Sequence, residues 1–196
     1  MPLTLLLLSA ALADTPPEAP ARTEGRVGLR AGAWIPLDAL RPGITPGVEA
    51  GASLPWWGAR LRPYVALDYG RGSAQVTGED DRLDAAWSVD VELHTWALSG
   101  GLDLRLLSWR EAISPTLRFG GGWLFTTVRA SGEDLLPAGE QQSGPAWTVG
   151  AGLDGRVGPG WLGGGLHLTA GRLDGVLTGA LPYRILQPTV AYHVAI

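Results

Sequence analysis

The sequence predicts an all-β protein: an eight-stranded antiparallel up-and-down transmembrane β-barrel. Three observations carry this. Apolar residues recur with a period of two through eight segments, the pattern of a strand with one apolar face. The opposite face of those segments is glycine, small residues and isolated charges. The connections between them alternate between short and long. Glycine abounds, 29 residues of 196 with 15 proline, yet 45% of the chain is hydrophobic and only 17% charged, which is not the composition of a disordered chain. Cysteine is absent, excluding disulfide scaffolds, thiolate metal sites and cysteine nucleophiles. The net charge of −4 argues against nucleic acid as a partner.

Residues 1–13, MPLTLLLLSAALA, read as a cleaved signal peptide: an apolar run from Leu3 to Leu8 followed by Ala11-Leu12-Ala13. Thirteen residues are too few for a helical span. Residues 14–23 are a Pro-rich leader, and residues 24–196 the barrel domain.

The first strand alternates Val27, Leu29, Ala31, Ala33 and Ile35 with Gly28, Arg30, Gly32 and Trp34. The second alternates Val48, Ala50, Ala52 and Leu54 with Glu49, Gly51 and Ser53, and the third Leu61, Val65, Leu67 and Tyr69 with Arg62, Tyr64, Ala66 and Asp68. In the fourth, Val89, Val91 and Leu93 oppose Asp90 and Glu92, and the phase then flips to Trp96, Leu98, Leu102 and Leu104 against Ala97, Ser99, Asp103 and Arg105. A β-bulge near His94-Thr95 would produce that flip. The fifth strand runs through Leu117, Phe119, Trp123 and Phe125, the sixth through Trp147 to Val157, the seventh through Leu162 to Ala170, the eighth from Val190 to Ile196.

Short connections follow the second, fourth and sixth strands. Long polar gaps fall at 36–46, 71–86, 131–145 and 173–184. Eight strands leave an interior that side chains fill, so the glycine-rich face points inward and the apolar face toward lipid. Trp34, Trp56, Trp57, Trp87, Trp109, Trp147 and Trp161 fall near strand ends and are expected in two aromatic girdles at the membrane boundaries.

The inward face carries Glu49, Asp68, Asp90, Glu92, Asp103 and Asp154 against Arg30, Arg62, Arg105, Arg118 and Arg156, with all three histidines, His167 and His193 among them, also assigned inward. Unpaired charges in a narrow low-dielectric lumen are costly, so these groups are expected to pair into a plug. His167, His193 and Asp154 as a metal site is the lesser reading, and no cofactor is expected. Gly150-Ala151-Gly152-Leu153-Asp154-Gly155 matches a dinucleotide fingerprint in letters, but no helix follows it. Ala97-Leu98-Ser99-Gly100-Gly101 is loosely similar to a nucleophile elbow, but lies within a strand. Glu79-Asp80-Asp81-Arg82-Leu83-Asp84 lacks the glycine and spacing of a calcium loop.

In stretches such as Arg118-Phe119-Gly120-Gly121-Gly122-Trp123 and Val149-Gly150-Ala151-Gly152-Leu153, the chain resembles the small eight-stranded outer-membrane β-barrel proteins, the group of the outer membrane protein A barrel and outer membrane protein W. The resemblance implies the outer membrane of a Gram-negative bacterium, outer-membrane lipid as surroundings, and insertion by the barrel assembly machinery through the last strand. The leading expectation is a structural or surface-interaction role, with an unknown external ligand; no enzymatic activity is expected, because the three histidines are assigned inward. A narrow, porin-like channel is the alternative. A lipid hydrolase using Ser99 or His193 and a soluble lipocalin-type barrel stand further back.

Overall fold

The computed structural model describes residues 23–37, 41–55, 60–80, 85–107, 112–132, 135–175 and 179–196. Residues 1–22, the expected signal peptide and most of the leader, lie outside them. So do Trp56, Trp57, Trp109, the side chain of Trp87 and the acidic stretch Asp81–Asp84.

Eight strands follow one another: β1 (Glu24–Pro36), β2 (Gly43–Ser53), β3 (Leu61–Asp80), β4 (Ala85–Arg105), β5 (Ile113–Gly132), β6 (Leu135–Val157), β7 (Gly160–Gly175) and β8 (Gly179–Ala195). Each pairs antiparallel with the next, and β8 returns to β1, with Val27 opposite Val194 and Leu29 opposite Tyr192. The start of β1, the end of β8 and the ends of β2, β4 and β6 share one end of the barrel, here the turn end. Among the described residues, only the turn between β6 and β7 needs a left-handed residue: Gly158, at φ 58°, a conformation that costs glycine no Cβ clash.

The outer face is apolar. Leu29, Val48, Val65, Leu98, Leu102, Phe119, Leu153, Leu166 and Val190 are all exposed, Leu29 at 71%. A continuous apolar band of this extent has no place in water and suits a hydrocarbon surround.

The wall is taller than that band. β4 has 21 residues; at about 3.3 Å per residue and a tilt near 40° it rises about 50 Å, against an apolar band of about 25 Å. β1 and β2, with 13 and 11 residues, are much shorter. The expected long loops at 71–86, 131–145 and 173–184 are therefore mostly strand. The described strands leave only 37–42, 81–84, 133–134 and 176–178 as connections at the far, loop end.

The same fact removes the expected bulge. β4 pairs continuously with β3 and β5 through His94 and Thr95, with no shift of register. The apolar side chains change face because the medium changes. Below the boundary Trp96 and Leu98 point out to lipid. Above it Asp90, Glu92 and His94 point out to water, while Thr95 is buried within.

Candidate functional site

The interior is filled in three layers. The central one is an ion-pair network anchored on Arg118 of β5. Its Nε and Nη2 donate to the two oxygens of Asp103 at 2.7 and 2.8 Å. Its Nη1 and Nη2 donate to the two oxygens of Glu49 at 2.7 and 2.9 Å. Its Cζ lies over the Tyr64 ring, 4.0 Å from the centroid. Glu49 also accepts from Arg30 Nη1 at 3.0 Å and from His193 Nε2 at 3.2 Å. Arg30 Nε reaches Asp68 at 3.2 Å. Arg30 Nη2 donates to His167 Nδ1 at 3.3 Å. Because arginine has no acceptor, that nitrogen is the acceptor, so the Thr189 hydroxyl 3.3 Å away donates to it as well. The two imidazoles rest against glycine: a Cβ at Gly28 would strike His193, and one at Gly150 would strike His167.

The turn-end layer holds Arg26, Arg62, Arg105, Asp154 and Trp161. Arg62 pairs with Asp154 at 2.5 Å. The guanidiniums of Arg26 and Arg105 stand 4.3 and 4.7 Å from the Trp161 ring centroid, within cation–π range.

The loop-end layer is apolar. Trp34, Leu124, Leu173, Tyr183 and Ile185 form one buried cluster. Trp34 Nε1 donates to the Tyr183 hydroxyl at 3.2 Å, and its indole lies against Gly70 and Gly72, where a methyl group would overlap the ring. Thr169, which donates to Gln187 at 3.2 Å, stands between this layer and the charges, while Thr95 and Thr126, which share a hydrogen bond of 3.0 Å, lie beyond Leu124 toward the loop end.

Several expectations need correction. Trp34 and Trp161 are 1% and 8% exposed and fill the interior instead of a girdle. Both lie on the inward parity of their strands, and a partner inside, a phenol or two guanidiniums, outweighs proximity to a strand end. Asp90 and Glu92 face outward above the boundary, where Glu92 accepts from Arg71 Nη2 at 2.8 Å. Arg71 holds the Glu92 carboxyl below the usual carboxylate range. Arg156 is exposed beside the β6–β7 turn. His94 points outward: its Nδ1 shares a hydrogen bond of 2.5 Å with the Tyr69 hydroxyl, and its Nε2 faces Glu92 at 3.5 Å. His167 and His193 bind separate partners, and no group of three metal-ligating side chains exists among the described residues. Ser99 lies beside Gly122 and Leu124, not beside His193.

Trp147 is exposed on the outer wall, within β6, not at its end. Trp96, Trp123 and Phe125 stand with it as exposed outward aromatics, and Tyr69 packs on Trp96 at 4.9 Å. Arg26 escapes a sequence reading that starts its strand at Val27, three residues after Glu24; its parity with Gly28 and Arg30 is the available signal.

A closed, up-and-down, eight-stranded barrel with a lipid-facing belt and a filled interior defines the class of fold: that of the small outer-membrane β-barrels. Two solved structures are similar along nearly their whole length. One is Neisserial surface protein A (NspA), with 16% identity and a TM-score of 0.52 over 90% of this chain and 99% of that one. The other is a major outer membrane protein from Thermus thermophilus, with 12% identity and a TM-score of 0.58 over 90% of this chain and 100% of that one. No family model matches the chain, and no curated protein matches it in sequence.

Proposed function

We propose that this chain is an integral outer-membrane protein with a structural or surface-interaction role and a closed lumen. The observation that carries this reading is the interior filling. The ion-pair layer spans the bore from β2 to β5 through Glu49 and Arg118, and the Trp34–Tyr183 cluster fills it again at the loop end. Two successive plugs leave the wall, not the bore, as the working surface. The wall beyond the belt is polar and charged, with exposed pairs such as Arg71–Glu92 and Arg172–Asp174. A protein that stands about 25 Å clear of the lipid on its longest strands offers that surface to partners outside the cell. Insertion proceeds through the barrel assembly machinery, supported by β8, which pairs with both β7 and β1 to close the wall.

Planar-bilayer recording of the purified protein tests the plug: the expected record is free of large, stable conductance. A steady current would favour the alternative reading, a narrow channel for small or apolar solutes. Membrane fractionation tests the location. The expected behaviour is extraction only with detergent and slower or faster gel migration after heating; solubility without detergent would overturn it.

A further inference from the structure

The turn-end layer carries more cation than its own acids answer. Arg26, Arg62 and Arg105 are 6%, 9% and 2% exposed. The acids beside them are Asp154, paired with Arg62, and Glu24, whose carboxylate is half in solvent and 3.7 Å from Arg26 Nε. Three guanidiniums thus face two carboxylates. Five buried nitrogens are left with no hydrogen-bond partner among the described residues, Nε and Nη1 of Arg26, Nε of Arg62, and Nε and Nη2 of Arg105, against one carboxylate oxygen in that state in the same layer, Asp154 Oδ2, which touches Arg62 as an ion pair. No nitrogen of Arg30 or Arg118, in the central layer, is in that state. Buried charged donors are ordinarily satisfied, and a native exception calls for a partner.

The Trp161 indole explains how the donors are presented. The Cζ atoms of Arg26 and Arg105 stand over the Trp161 ring, a cation–π contact that holds both guanidiniums in place without using their N–H groups as donors to a protein acceptor. A guanidinium edge is a fork matched to two oxygens of one oxyanion. Arg26 and Arg62, with the carboxylates of Asp154, Asp103 and Glu49, line a cavity of about 60 Å³ that runs up toward Arg118, space for about two waters or for one tetrahedral oxyanion. Gly51, Gly163 and Gly165 line it too, and their missing side chains keep it open.

We propose that the turn end of the lumen is a binding site for a small tetrahedral oxyanion of the phosphate or sulfate class, received on the edges of Arg26 and Arg62, with Arg105 adding charge across Trp161. The inference rests on the interior geometry alone and holds whether or not the wall binds a partner.

The test is calorimetric titration of the folded, detergent-solubilised protein with inorganic phosphate at constant ionic strength, with chloride as the control anion. The expected result is saturable binding of one phosphate per chain, absent with chloride and weakened at least tenfold in Arg26→Lys and Arg62→Gln. Arg26→Lys keeps the charge and removes the fork, so it separates loss of the site from loss of the fold; heat-modifiable migration verifies folding of each variant. Arg71→Gln, on the outer wall, is expected to bind as the parent does. Absence of saturable phosphate binding, binding unaltered in both site variants, or an equal loss in Arg71→Gln would each overturn the proposal.

Discussion

Arg118 and Glu49 meet through two parallel hydrogen bonds of 2.7 and 2.9 Å across the bore, from strands that are not neighbours in the wall. A fork-to-fork pair of this kind is among the stronger polar contacts a protein makes. Removing one partner leaves the other buried and uncompensated. Glu49→Gln and Arg118→Met are each expected to destabilise the barrel by about 3–5 kcal/mol, and the double variant by clearly less than the sum. Thermal or denaturant unfolding followed by gel migration measures this; strict additivity would mean the two do not act as a unit.

Glu92 provides the contrast. Its pair with Arg71 is exposed on both sides, and exposed pairs contribute little. Its folded pKa is depressed, so what the pair contributes is present above the unfolded carboxylate pKa and fades as pH falls through the lowered value. Glu92→Gln is expected to leave the melting temperature unchanged at neutral pH, where Glu49→Gln lowers it. Equal effects of the two would contradict the layering.

The loop-end cluster is built around Trp34. Trp34→Ala removes the largest side chain of that cluster and is expected to cost about 3–5 kcal/mol. Gly72→Ala, which places a methyl against the indole, is expected to cost about 1–3 kcal/mol by overpacking. A neutral Gly72→Ala, judged by equilibrium unfolding, would show that the ring has room to move.

Tryptophan position is directly measurable. In single-tryptophan variants reconstituted with lipids brominated on their acyl chains, Trp147, on the outer wall, is expected to be quenched. Trp34 and Trp161, inside the bore, are expected to be shielded. Strong quenching of Trp34 would return it to the membrane boundary.

The closed barrel was legible because a period of two survives eight times and the short turns fall on one side. Parity alone also put Arg118 and Glu49 on the inward face. What parity could not supply was the height of the boundary along each strand. Asp90 and Glu92 look lumenal only if lipid is taken to surround the whole of β4; once water replaces it above Trp96, the same alternation has the opposite meaning. Trp34 and Trp161 were misplaced for a related reason. Distance to a strand end is visible in a sequence, but an indole partner contributed by β8 or by β1 and β4 is not. Nor is the choice of carboxylate by each arginine, since Glu49 receives groups from β1, β5 and β8 that are far away along the chain.

That last fact bears on how the molecule comes apart. The partners of Glu49 lie 19, 69 and 144 residues from it in sequence, so they converge only once β8 has found β1. Contacts made after the rate-limiting step resist departure more than they hasten arrival. Glu49→Gln should therefore accelerate unfolding far more than it slows insertion, and the ion-pair layer acts as a latch thrown last, which gives the barrel a long lifetime in the membrane in addition to its depth of stability.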